Sequence, residues 1–258
     1  MEKYGISEIP VIPVRSEPSE KSEMVTQILF GEMFKIFNKM GNWLEVESVN
    51  DNYRGWIDSK TATIIEESFL TRLKDEPIEI LKNVINKIKL IDTNTFAILP
   101  FGSSLPCFNN VTGDFFINSI NYRLLNPLEN KDLSITEYAL SFINSPYLWG
   151  GRNPFGIDCS GLVQVVYKAC GINLPRDASQ QVNRGRTIEF QTEIKPGDLA
   201  FFDNDEGNII HVGILLSKNE IIHSSGKVRI DSIDHQGIYN KELKSYTHKL
   251  RIIKRIKE

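Results

Sequence analysis

Residues 161–170 read GLVQVVYKAC, a run whose only polar side chains are Gln164 and Lys168. Four residues apart, those two share one face of a helix and leave the rest of its circumference apolar, so the helix must be largely buried. Gly156 and the Asp158-Cys159-Ser160 turn precede it, and Asp158 or Ser160 supplies an N-cap that sets Cys159 in or beside the first turn. Unpaired backbone N–H groups and the positive end of the helix dipole then favour a thiolate and lower the cysteine pKa from its free value of about 8.5. The same N–H groups suit a developing oxyanion.

A cysteine in that position is either a small buried hydrophobe or a nucleophile. Cys107, between Pro106 and Phe108 in a strand pattern, and Cys170, before Gly171 at the helix end, fit the first reading. Three cysteines are also too few, and odd in number, for a disulfide scaffold, which points to a reducing compartment.

A nucleophilic cysteine needs a base. The segment NIIHVGILLSKNEIIHSSG contains two apolar strands joined near Ser217-Lys218-Asn219. A three-residue loop with Asn219 left-handed pairs Leu216 with Glu220, sets His211 opposite Ser225 and sets His223 opposite Gly213. The histidines are then diagonal neighbours on one face, roughly 7–8 Å apart at the backbone. A two-residue loop would send them to opposite faces. In the first geometry His211 serves Cys159 as base while His223 accepts the other ring proton of His211. The competing readings are a structural pair of histidines and a metal site of one cysteine and two histidines, which lacks a fourth ligand at close spacing. His235 and His248 lie in polar surroundings and receive no role.

The rest of the chain sets the frame for this site. PVIPVRS, MVTQILF, FKIFNKM, WLEVESV and GWIDS alternate apolar and polar residues between turn residues, which predicts a small β-barrel over 1–65. Ile78, Leu81, Val84 and Ile85 recur at helical spacing and predict a connector helix within 64–90. Strand patterns return over 90–128 as a second β module, giving a middle region of 66–130. From 131 the texture changes: SITEYALSFINS carries Ser134 and Glu137 as a capping box, and helix, loop, apolar helix and strands follow, an α+β order over 131–258.

With a net charge of -3 the chain has no electrostatic footprint for nucleic acid or an anionic membrane surface. Its longest apolar runs are too short to span a bilayer. The start, MEKYGISEIPVIPVRSEPSEK, is acidic and proline-bearing where a secretory signal would be basic and then apolar. That favours a cytoplasmic location, with a secreted or periplasmic one expected if a signal peptide has been removed.

The motifs YLWGGRNPFGIDCSGLVQ, LPRDASQQ, KPGDLAFF, HVGILL and IIHSSG, in that order over 147–225, resemble the NlpC family of cell-wall cysteine peptidases. The resemblance implies a papain-like α+β catalytic domain preceded by two small SH3-like β-barrels. It implies Cys159 as nucleophile, His211 as base and His223 as the orienting third member, with the Tyr147 hydroxyl beside the cysteine. Trp149, Asp158, Ser160, Arg176 and Asp177 fall where a dipeptidyl-peptidase VI-like subgroup lines its pocket. Ala178 departs from the serine usual after that aspartate.

In that subgroup the first SH3-like module closes the groove, and a tyrosine with an acidic residue binds the substrate's free amine. Here these correspond to Tyr53 in DNYRGWID and Glu23 in KSEMVTQ, the latter preferred over Glu17 and Glu20. Arg176 would offset the carboxylates of D-Glu. The implied activity is γ-D-glutamyl-L-diamino acid endopeptidase action on murein stem peptides with a free N-terminal L-Ala, and no cofactor is implied. Two other classes share the frame: a non-catalytic wall-binding protein, which would show no fast-reacting cysteine, and an acyltransferase or amidase, distinguished by its products.

Overall fold

A computed structural model describes residues 3–73, 76, 78–126, 128 and 133–257. The chain divides into two compact units, Met1–Asn130 and Lys131–Glu258. The junction expected at 130/131 itself lies outside the described residues.

In the first unit the alternating segments form strands Val11–Arg15, Met24–Leu29, Met33–Met40, Trp43–Ser48 and Arg54–Asp58. With Lys3–Ile6 and Thr63–Ile64 they make one seven-stranded antiparallel sheet. Its inward residues, Ile12, Val14, Ile28, Phe34, Leu44, Val46 and Ile57, form one core. Packing of these β-branched and aromatic side chains on a half-buried pleated surface is what favours strands here.

The connector helix differs from expectation. The helix spans only Glu67–Leu73, while Ile78–Ile80 and Ile85–Leu90 are strands and residues 74, 75 and 77 lie outside the described set. Ile85–Leu90 pairs with Thr95–Pro100 on one side and Ile120–Leu124 on the other. Within it Asn86 and Ile88 are buried and Ile85 is exposed, a period of two that the apolar count at three and four concealed. β-branched residues lose rotamer freedom in a helix, and two strand partners decide the outcome. Cys107 is buried in this module's core, as expected.

In the second unit, helix Ile135–Leu140 carries the expected box: the Glu137 N–H donates to Ser134 Oγ (3.3 Å) and the Ser134 N–H to Glu137 Oε2 (2.8 Å). Helix Cys159–Ala169 is buried at all eleven positions, including Gln164 and Lys168. The Gln164 side-chain N–H donates to the Leu174 carbonyl at 3.1 Å. The helix packs on strands Ile209–Ser217 and Glu220–Ser225. These belong to a sheet ordered Ser245–Arg255, Leu199–Asp203, Ile209–Ser217, Glu220–Ser225, Lys227–Ile233, Gly237–Asn240. The last strand pairs back onto the first, closing a six-stranded barrel, with Arg186–Ile188 appended outside Ser245–Arg255. Ala200, Phe202, Leu215, Ile221, Ile233 and Ile238 fill the interior.

The histidine hairpin reaches its expected register by another route. Ile214 pairs with Ile222 and Leu215 with Ile221, the ladder that sets His223 opposite Gly213. At the turn, however, Ser217 rather than Leu216 pairs with Glu220, so the loop is the two residues Lys218-Asn219, and Asn219 does not take a positive φ. Leu216 is an extra, unpaired residue. This bulge supplies the one-residue shift that a two-residue loop would otherwise have imposed on every side chain.

Candidate active site

The amino end of the buried helix is built around Asp158, which is the N-cap in preference to Ser160. Its carboxylate accepts from the N–H of Gly161 (2.7 Å) and of Gly150 (2.8 Å). Close packing demands glycine here: a Cβ at Gly161 would lie 2.3 Å from the Gly151 carbonyl oxygen. Cys159 therefore opens the first turn, and its sulfur accepts hydrogen bonds from the backbone N–H groups of Val212 and Ser160. The Val212 bond places the sulfur against the strand that carries His211.

The expected lowering of the Cys159 pKa is reversed. Burial, and then the adjacent Asp158 carboxylate, push the thiol up to about 12, against the two N–H groups and Arg176. Desolvation penalises the charged form, and the capping carboxylate cancels the helix-end charge that would have favoured it. His211 moves the other way: burial, with His248 and His223 beside it, holds its pKa well below the usual value. The resting pair is a neutral thiol and a neutral imidazole.

His211 Nε2 lies 2.8 Å from His223 Nδ1, and His223 Nε2 lies 3.0 Å from Asp231 Oδ2. Burial disfavours the Asp231 charge, but His223 and Arg229 outweigh it and hold that carboxyl below its ordinary range. Arg229 grips both Asp231 oxygens, at 2.7 and 3.0 Å. An ionised carboxylate only accepts, so His223 donates from Nε2 to Asp231 and accepts at Nδ1 from His211 Nε2–H. The lone pair left on His211 is at Nδ1, the tautomer a base needs.

Asp231, Arg229 and His248 were not singled out from the sequence. A signal for the first two exists: Gly226, at φ 70°, turns the chain between Ser225 and Lys227, and continuing that ladder pairs His223 with Arg229. His248 offers no local signal, since it lies in SYTHKLRIIKR, where exposed and half-buried residues alternate. Closure of the barrel brings it in, and its ring stacks on His211 at a centroid distance of 4.1 Å.

The remaining expected residues are placed as follows. Tyr147 is half-buried, and burial, with Cys159 and the Asp158 carboxylate nearby, pushes its hydroxyl up to about 12. Trp149 is exposed. Arg176 is only 1% exposed, and its guanidinium donates to both Asp158 oxygens (3.0 and 2.5 Å) and to Ser160 Oγ (2.8 Å). Its charge is thus neutralised inside the protein, where a free cation facing a substrate carboxylate had been expected. Asp177 is the half-buried N-cap of helix Ala178–Gln181 without a side-chain capping bond. In the first unit, Tyr53 is half-buried just before strand Arg54–Asp58, and Glu23 is exposed just before Met24–Leu29. Among the described residues the cluster able to hold a metal ion is His211, His223 and His248, with Cys159 outside it.

Known proteins resemble both units of the chain. Residues 144–247 match the NlpC/P60 family, and residues 14–61 match the bacterial dipeptidyl-peptidase Sh3 domain. The chain is 30% identical over 234 residues to the gamma-D-glutamyl-L-lysine dipeptidyl-peptidase of Bacillus subtilis, covering 84% of this chain and 78% of the relative. It is 28% identical over 264 residues to dipeptidyl-peptidase 6 of Lysinibacillus sphaericus, covering 88% and 91%. A crystal structure of an NlpC/P60 family protein from Bacillus cereus superposes with a TM-score of 0.82 at 18% identity, over 98% of this chain and 99% of that one, a likeness of fold.

Proposed function

Because the chain belongs to the NlpC/P60 family of peptidases, we propose that it hydrolyses the γ-D-Glu to diamino acid bond of murein peptides with a free N-terminal L-Ala. The diamino acid is L-Lys or meso-diaminopimelate, and the released product is L-Ala-D-Glu. The observation that carries this reading is the hydrogen-bonded chain His211–His223–Asp231, together with a cysteine at a helix amino end whose sulfur takes the N–H of Val212, the residue next to His211.

In the proposed reaction His211 Nδ1 takes the thiol proton as the Cys159 sulfur bonds to the γ-carbonyl carbon. Neither group is charged at rest, so the proton moves during attack, and Asp231 acting through His223 stabilises the imidazolium that forms. Backbone N–H groups at the helix end, with the Tyr147 hydroxyl, meet the negative oxygen. Collapse breaks the C–N bond, and His211 returns its proton to the leaving amine. Water then adds to the thioester, gives a proton to His211, and releases the dipeptide as the thiol reforms. Asp158, Ser160 and Arg176 hold the loop and helix start rigid around these atoms, and Trp149 and Asp177 line the pocket.

The decisive assay compares Cys159→Ala with the unmodified protein on L-Ala-γ-D-Glu-L-Lys. Loss of turnover is expected, and unchanged turnover would reject the nucleophile. The free-amine preference is tested by N-acetylating the same peptide. Equal rates would remove it.

A further inference from the structure

The hydrolysis proposed above makes no use of His248, yet this residue belongs to an arrangement of its own. Three strands, the hairpin pair Ile209–Ser217 and Glu220–Ser225 and the later Ser245–Arg255, each direct one imidazole to the same place, and the ligating nitrogens all lie within 4.8 Å of one another. The geometry points to a binding site for a divalent transition-metal ion of the zinc class, held by His211, His223 and His248, whose occupation switches the peptidase off.

The donor chemistry fits. Imidazole suits zinc, copper and nickel, and three histidines with one open position form a common zinc arrangement. His211 Nε2 and His223 Nδ1 are 2.8 Å apart. Two nitrogens bound tetrahedrally at about 2.0–2.1 Å would be roughly 3.3 Å apart, so a small opening of the rings admits the ion. The outer contacts are also present. His223 is anchored through its other nitrogen on Asp231, the carboxylate–histidine pairing that fixes a ligating tautomer, and Arg229 holds that carboxylate in turn. Thr247 Oγ1 lies 2.9 Å from His248 Nδ1, which leaves Nε2 to ligate.

The switch follows from proton bookkeeping on one ring. In the free protein the His211 proton sits on Nε2 and the basic lone pair on Nδ1. When Nε2 coordinates an ion, that proton moves to Nδ1, no proton is gained or lost, and the lone pair that would deprotonate Cys159 is gone. Inhibition by this route rests on His211 being the base, whereas metal binding does not.

The test therefore begins with binding. Zinc titrated calorimetrically into metal-stripped Cys159→Ala chain should bind once, with affinity matching the unmodified chain, while His248→Phe, which keeps a stacking ring, should weaken binding about tenfold or more. In cobalt-loaded Cys159→Ala chain, proton NMR should show paramagnetically shifted signals from three histidine rings, a readout that needs no change at His248. Loss of binding in Cys159→Ala, or unchanged affinity in His248→Phe, or fewer than three shifted rings, would overturn the site. Chelator-reversible inhibition of the unmodified protein by zinc is expected in the hydrolysis assay. Retained binding without inhibition would reject the switch, and a failure of Cys159→Ala to lose turnover would reject the hydrolytic reading instead.

Discussion

His223 stands directly across the barrel ladder from Gly213, and its Cβ lies only 2.9 Å from where a side chain at Gly213 would begin. The Ile221 side chain crowds the same point at 2.6 Å. Gly213→Ala therefore has to push the His223 ring off its line between His211 and Asp231. Peptidase kcat should fall about tenfold to a hundredfold, since misplacement of an orienting group by about 1 Å costs that order of rate. Steady-state kinetics check this, with circular dichroism to establish that the barrel remains folded.

Asp231 sets the tautomers of both active-site histidines. Asp231→Asn can turn its amide N–H toward His223 Nε2, forcing the proton to Nδ1 and breaking acceptance from His211. A drop in kcat of about a hundredfold or more with little change in KM is expected, because the substrate itself is not contacted. A KM effect with unchanged kcat would contradict the relay.

Burial and Asp158 raise the Cys159 pKa to about 12, so the resting sulfur is a thiol. For a group whose pKa is raised, the charged fraction grows about tenfold per pH unit up to that pKa. Alkylation of Cys159 by iodoacetamide, followed by peptide mass spectrometry, should accelerate steadily from about pH 6 to pH 10. A plateau in the neutral range would instead reveal a preformed thiolate and imidazolium. By the same measure a slow thiol at neutral pH does not single out a non-catalytic protein, as the helix-end argument alone had suggested.

Arg176 and Asp158 form a buried, two-pronged ion pair. Replacing Arg176 with Met strands the Asp158 charge in a site with little solvent, which should cost about 3–5 kcal/mol of stability in urea unfolding. A much smaller loss would mean that the guanidinium is not what compensates Asp158, and would return it to substrate binding.

What the sequence alone carried was local and periodic. The all-round apolar helix, its Asp158 cap, the Ser134–Glu137 box and the alternation of the first unit's strands each depend on neighbours within a few residues, where propensity and side-chain spacing act directly. The linked motifs from Tyr147 to Ser225 likewise pointed to the cysteine and the two histidines. Tertiary structure decided what depends on partners far along the chain. Sheet pairing turned the Ile78–Ile85 pattern from helix into strands, and the Leu216 bulge kept both histidines on one face despite a shorter loop. Closure of the barrel brought His248 onto His211. Burial, which no stretch of residues contains by itself, set the charge of Cys159, because desolvation depends on everything packed around the sulfur rather than on the turn that carries it.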